Sequence, residues 1–228
     1  MKLPVPLAVL CVLAAPVALA QKVVKPTPLP TPTEMVAQTA STPASHEWAA
    51  HNLSSWPVER QVLAAHLVTL YGNPQEMTPT ALSWYDNGPW KRTVLYKDGD
   101  THRFPLPHQD VLWQTLNYKV PLSKVPALMT YDGSILIDRT RGEMTVHCDS
   151  EAANILTFNI ANTIVTGENT VEQAMAYHAQ VIEGLRIHEP EEFPQKLRFK
   201  TPKNNATTAD PGEEAELLRH LMVTPPAQ

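Results

Sequence analysis

Few residues of this 228-residue chain are spaced so that they can do chemistry together. His102, His108 and Asp110 lie on or beside a stretch bent by Pro105 and Pro107, where their polar tips can converge. Two imidazoles and a carboxylate are ligands that zinc or another divalent ion accepts, and a catalytic metal needs only three from the protein. Loop polar groups that bond to nearby backbone explain the same residues without an ion. The spacing matches no defined metal motif, and neither His-Glu-x-x-His nor a paired-cysteine pattern occurs.

His147, Cys148 and Asp149 are consecutive, which invites a thiol nucleophile with its base, or a metal site. If residues 143–148 form a strand, however, the pleat sends His147 and Cys148 to opposite faces. Cys148 is then expected as a small core residue, and Asp149 or Ser150 as the cap of the next helix.

Two surface patches are candidates for binding. Trp84, Tyr85 and Trp90 bracket the turn Asp86-Asn87-Gly88-Pro89, and flat aromatic rings beside Asp and Asn suit a sugar. Packing into a corner of the core is the plainer reason for such rings. Arg139 and Arg141, with Lys91 and Arg92, suit a carboxylate or phosphate, although solvated charges at turns and sheet edges look the same. The candidate ligand surface is therefore Trp84, Tyr85, Asn87, Trp90, Arg92, Arg139 and Arg141. His178, inside an apolar stripe, reads as a satisfied core histidine. Asn154, Asn159 and Asn162 lie on a largely apolar helix and must find partners, expected in neighbouring backbone. No nucleophile elbow, phosphate loop or dinucleotide fingerprint is present, and 8 glycines leave little material for one.

The elements that must position these groups follow from periodicity. Leu63, Leu67, Leu70 and Tyr71 predict a helix over residues 57–71, closed by Gly72. A short helical turn is expected after Thr80. From Trp90 the period becomes two, and residues 90–96 and 101–104 read as a hairpin turning at Asp98-Gly99. A strand over 111–118, a short helix from Pro121 to about Tyr131, and a second hairpin of 134–139 with 143–148 follow. Residues 150–165 read as a buried helix, because Ile155, Leu156, Phe158, Ile160, Ile164 and Val165 nearly encircle it. Thr170-Val171-Glu172-Gln173 is a capping box for the last helix, which carries Ala174, Met175, His178, Ile182 and Leu185 as its apolar stripe. The expected class is α+β, an antiparallel sheet built from two hairpins and a middle strand and covered by helices on one face.

The two ends differ from this middle. Residues 1–20 join a basic start to an uncharged apolar run ending Ala18-Leu19-Ala20, the pattern of a cleaved signal peptide. Pro6 and Pro16 interrupt the run, which argues against a permanent span, and no later segment is apolar enough for one. Residues 21–52 read as a Pro/Thr-rich spacer, 53–187 as the globular domain, and 188–228 as a mostly disordered tail with helical spacing at Leu217, Leu218, Leu221 and Met222. Cys148 is the one cysteine left after cleavage, so no internal disulfide can form. The formal charge of −5, or −6 without Lys2, disfavours nucleic acid as a partner.

Asn87-Gly88-Pro89-Trp90-Lys91-Arg92-Thr93, Tyr131-Asp132-Gly133-Ser134, Arg139-Thr140-Arg141-Gly142-Glu143 with Cys148-Asp149, and Ile164-Val165-Thr166-Gly167 with Thr170-Val171-Glu172 resemble a family of exported bacterial proteins of uncharacterised activity. The resemblance spans less than half of the chain and implies bacterial export and a compact domain, with no activity to carry over. The leading expectation is a non-catalytic module, periplasmic or extracellular, that binds a protein or cell-envelope component without a cofactor. The alternative is a small metal-dependent hydrolase using His102, His108 and Asp110.

Overall fold

A computed structural model describes residues 42–186 and 196–202. The expected signal peptide, the spacer up to residue 41 and the apolar spacing at 217–222 lie outside these residues. Among the described residues, five α-helices accompany one open six-stranded antiparallel sheet: α1 (Pro43–Asn52), α2 (Val58–Tyr71), β1 (Glu76–Met77), β2 (Ala81–Asn87), β3 (Trp90–His102), β4 (His108–Asn117), α3 (Val125–Tyr131), β5 (Ile135–Asp138), β6 (Glu143–Cys148), α4 (Glu151–Thr166) and α5 (Val171–Arg186). The strand order is β1-β2-β3-β4-β6-β5. No helix among the described residues is long and apolar enough to cross a membrane.

The sheet sorts its side chains by pleat. Leu82, Leu95, Leu112 and Cys148 are successive cross-strand partners, as are Trp84, Thr93, Gln114 and Val146, and both rows face the helices. Two apolar clusters form there, one against α1 and α2, the other among α3, α4 and α5. The carboxylate of Glu151 joins them. It accepts from Tyr71 Oη (2.8 and 2.9 Å), Trp90 Nε1 (3.0 Å) and Gln114 Nε2 (2.6 Å), tying α2, β3 and β4 to the first turn of α4.

Three local expectations change. Residues 81–87 are strand rather than a helical turn, because Leu82 and Trp84 alternate into the core and β3 offers a long edge to pair with. Residues 43–52, expected as the end of the spacer, are a helix: Thr42 caps Ser45 N, Pro43 stands in the first turn where proline is tolerated, and Ala49 is buried. Asp98-Gly99 is not a hairpin turn. β3 runs through it to His102 and pairs with β4 on both sides of a bulge.

That bulge sets the face of everything beyond it. Leu95 pairs with Leu112 and Asp100 with Asp110, so residues 96–99 stand against Val111 alone. The odd surplus inverts the pleat, and His102, which regular alternation from Leu95 would point away from the helices, lies with His108 on the covered face. Gly99 is required by approach rather than by a turn. A Cβ there would collide with the Val111 side chain and sit 2.8 Å from Asp110 O.

Gly99→Ala is therefore expected to cost about 2 kcal/mol in urea unfolding, as an overpacking substitution. Gly133→Ala, with nothing within 4 Å of the added carbon, serves as the near-neutral control. Glu151→Ala should cost about 2 kcal/mol, since it removes the acceptor shared by Tyr71, Trp90 and Gln114 and leaves Trp90 and Gln114 only their longer bonds to Tyr71 Oη and Thr93 Oγ1.

Candidate functional site

The bulge and the β3–β4 pairing build a polar cluster at one end of the covered face. His102 and His108 are direct cross-strand partners with ring centroids 5.0 Å apart, and Asp110 follows His108 by two on the same face. Donor atoms of all three lie within 4.8 Å of one another. Each histidine is held from behind. His108 Nδ1 donates to Leu106 O (2.8 Å), which leaves Nε2 facing Asp110 Oδ1 at 3.1 Å. His102 turns Nε2 towards Asp132 Oδ1 (3.7 Å) and Nδ1 towards Asp110 Oδ2 (3.5 Å). Asp132 is itself held by Ser134, whose N–H and hydroxyl both donate to Oδ1. Asp110 Oδ1 is buried and, apart from its ion pair with His108, has no hydrogen-bond partner. Two imidazoles and a carboxylate so placed are groups that could hold a divalent ion.

The cluster opens into a cavity of about 560 Å³. Phe104, Leu106, Pro107 and Ile182 give it an apolar wall, while Arg60 and Asp149 add charge. His178 also lines it, with Nδ1 at 2.9 Å from Tyr131 Oη and its ring edge-on to Phe104.

Burial and charge set the protonation states. Burial opposes a charge on His108, but Asp110, Leu106 O and Asp149 outweigh it and lift the imidazole to about 9. Burial lowers His178 to about 4, helped by the neighbouring His108 and His102. Burial lowers His147 to about 4 as well, against the pull of Asp110 and Asp100. Asp132 is raised by burial, which the two bonds from Ser134 and the charge of His102 counter. Burial, then Asp149 and Asp110, push the Cys148 thiol well above its ordinary value.

The pleat separates His147 from Cys148 as expected: His147 stacks on Trp113 at 3.5 Å on the uncovered face, while Cys148 pairs with Leu112 on the covered one. Cys148 nonetheless meets an imidazole, since its Sγ stands 3.4 Å from His108 Nε2. The pair is not a nucleophile with its base. Thiol and carboxylate approach the same nitrogen, the other being spent on Leu106 O, and the thiol keeps its proton.

The expected binding patches are distributed differently. Trp84 and Trp90 are fully buried, their indole N–H groups donating to Gly72 O and Glu151, and Asn87 is buried against Thr93. Tyr85 alone of the aromatic turn is displayed, 38% exposed. Arg92 and Arg139 line a groove of about 660 Å³ on the uncovered face with Tyr96 and Trp113, whereas Arg141 lies 3.7 Å from Asp138 in the exposed turn. The amides find partners farther along the chain than expected. Asn154 donates to Leu112 O and Gln114 Oε1, Asn159 holds Lys196 and Arg198, and Asn162 accepts from Tyr118. Asp132 and the His178–Tyr131 pair were not candidates from sequence, although Asp132-Gly133-Ser134 carries the signature of a side-chain-capped turn. Comparison with protein-family models, curated proteins and solved structures finds no match.

These shifts give the metal-free protein a stability maximum near pH 6.5. Above it, His108 holds a proton that the unfolded chain has lost, so its contribution, full below about 6.5, disappears as pH rises through about 9. Below it, the unfolded chain protonates while His147 and His178 stay neutral, and stability falls towards about pH 4. Urea midpoints across this range should show both limbs; His108→Gln should flatten the alkaline one and His178→Gln the acid one.

Proposed function

We propose that the chain holds one divalent transition-metal ion through His102, His108 and Asp110 and acts as a small metal-dependent hydrolase. The observation that carries this reading is the convergence of three ligand atoms beside the cavity: the buried Asp110 carboxylate is faced by His108 Nε2 at Oδ1 and by His102 Nδ1 at Oδ2, and His108 is held from behind by Leu106 O. Three protein ligands beside a cavity leave a coordination position for water, the pattern of catalytic rather than structural sites. Held by His102, His108 and Asp110, such an ion would supply an activated water near neutral pH and a Lewis acid for an acyl oxygen. His108 must release its proton for the ion to bind, so metal and proton compete at this residue. The uncharged apolar run ending Ala18-Leu19-Ala20 supports export as part of this reading.

A second reading, an exported non-catalytic module, is favoured by one observation: Arg92 and Arg139 converge with Tyr96 and Trp113 on the uncovered face. Its ligand would be an anion, held away from the histidine cavity.

Elemental analysis after loading with zinc separates the two. The metal reading expects one ion per chain, affinity lowered by more than about 100-fold in His108→Ala and Asp110→Asn, and hydrolysis of p-nitrophenyl acetate that chelation abolishes and zinc restores. A chain that takes up no ion contradicts it.

A further inference from the structure

The wall of the histidine cavity carries a buried imidazole, His178, that the ligand set does not use and that is backed by Tyr131. His178 on α5 is 4% exposed and Tyr131 at the end of α3 is 1% exposed, and their side chains meet at 2.9 Å. Phe104 packs edge-on against both rings, with centroids 6.2 Å from Tyr131 and 5.2 Å from His178, and reaches His102 at 6.5 Å. One ring therefore fixes the spacing between the pair and the candidate ligands. A histidine and a tyrosine packed against the apolar side chains of the helix layer cost desolvation. The placement of His178 on the cavity wall gives the polarity a use.

Either atom of the Tyr131–His178 pair can be the donor, the imidazole tautomer setting the roles. Burial pushes the Tyr131 phenol well above its ordinary value and holds His178 neutral, so the phenol keeps a proton to donate and Nδ1 can accept it. In the tautomer where the phenol donates, the ring's own proton sits on Nε2, and His178 on the cavity wall offers a ligand a neutral N–H donor. A neutral donor aimed at an oxygen that gains charge is a means of stabilising acyl-transfer intermediates. Beyond it, Phe104, Leu106, Ala153 and Ile182 supply a wall for an apolar chain.

Resting on the metal reading, we propose that the cavity takes a short acyl compound whose carbonyl oxygen bonds His178 and whose apolar chain lies along Phe104, Leu106 and Ile182, with Tyr131 positioning His178. Ester and amide substrates with acyl chains of a few carbons fit this division of polar and apolar walls.

The test uses the full chain loaded with cobalt and titrated with acetate and with hexanoate, two carboxylates that resemble the acyl product, followed through the visible cobalt spectrum. Hexanoate should bind at least about tenfold more tightly than acetate, since its added methylenes leave water. His178→Phe should weaken both about tenfold at unchanged cobalt stoichiometry. His178→Gln, which restores an N–H donor, should recover part of that loss, and Tyr131→Phe should show an intermediate loss. Equal affinity for the two carboxylates, or wild-type affinity in His178→Phe, overturns the proposal while leaving the metal reading intact. A chain that takes up no cobalt removes both.

Discussion

The arrangement at the histidine cavity depends on one backbone constraint, the close approach of β3 to β4 at Gly99. Four residues there oppose one, and the surplus turns the end of β3 over so that His102 joins His108 and Asp110. Without it, the imidazoles would lie on opposite sides of the sheet and no common ligand could reach both. Bulges of this kind re-aim a side chain at a small cost in ladder hydrogen bonds. Gly99 makes the approach possible because it presents no Cβ to the β4 backbone.

The helices hold the other half of the site in place through a polar junction. Glu151 collects donors from α2, β3 and β4 and seats α4, whose turns supply Ala153 and Thr157 to the cavity. The α5 helix then packs across α3 and brings His178 to Tyr131. The site thus combines a sheet end, which carries the candidate ligands, with a helix layer, which carries the neutral donor. Burial disfavours the charge on both: at His108 the carboxylates and Leu106 O outweigh it and the proton is held, and at His178, among rings, nothing does.

Much of this was legible in the sequence where the signal is local. The encircled α4, the reciprocal bonds of Thr170 and Gln173 that cap α5, the β5–β6 hairpin and the split between His147 and Cys148 all follow from spacing within a few residues. His102, His108 and Asp110 could be named as a set for the same reason. The failures are non-local or ambiguous. Asp98-Gly99 has the composition of a hairpin turn, and only its partner strand shows that glycine is needed there for approach. Residues 81–87 are too short for periodicity to separate helix from strand. Trp84 and Trp90 look displayed beside a turn, yet the fold packs both inside. Cys148 lies 40 residues from His108, and the contact between them has no signature along the chain.

The central claim is that two imidazoles and Asp110 grip one ion on the covered face. X-ray absorption at the metal edge of the zinc-loaded chain examines that shell without reference to any substrate. The account requires the outer-shell scattering of two imidazole rings with light first-shell donors, falling to one ring in His102→Ala. A spectrum with no imidazole scattering, or one unchanged by that substitution, would contradict it.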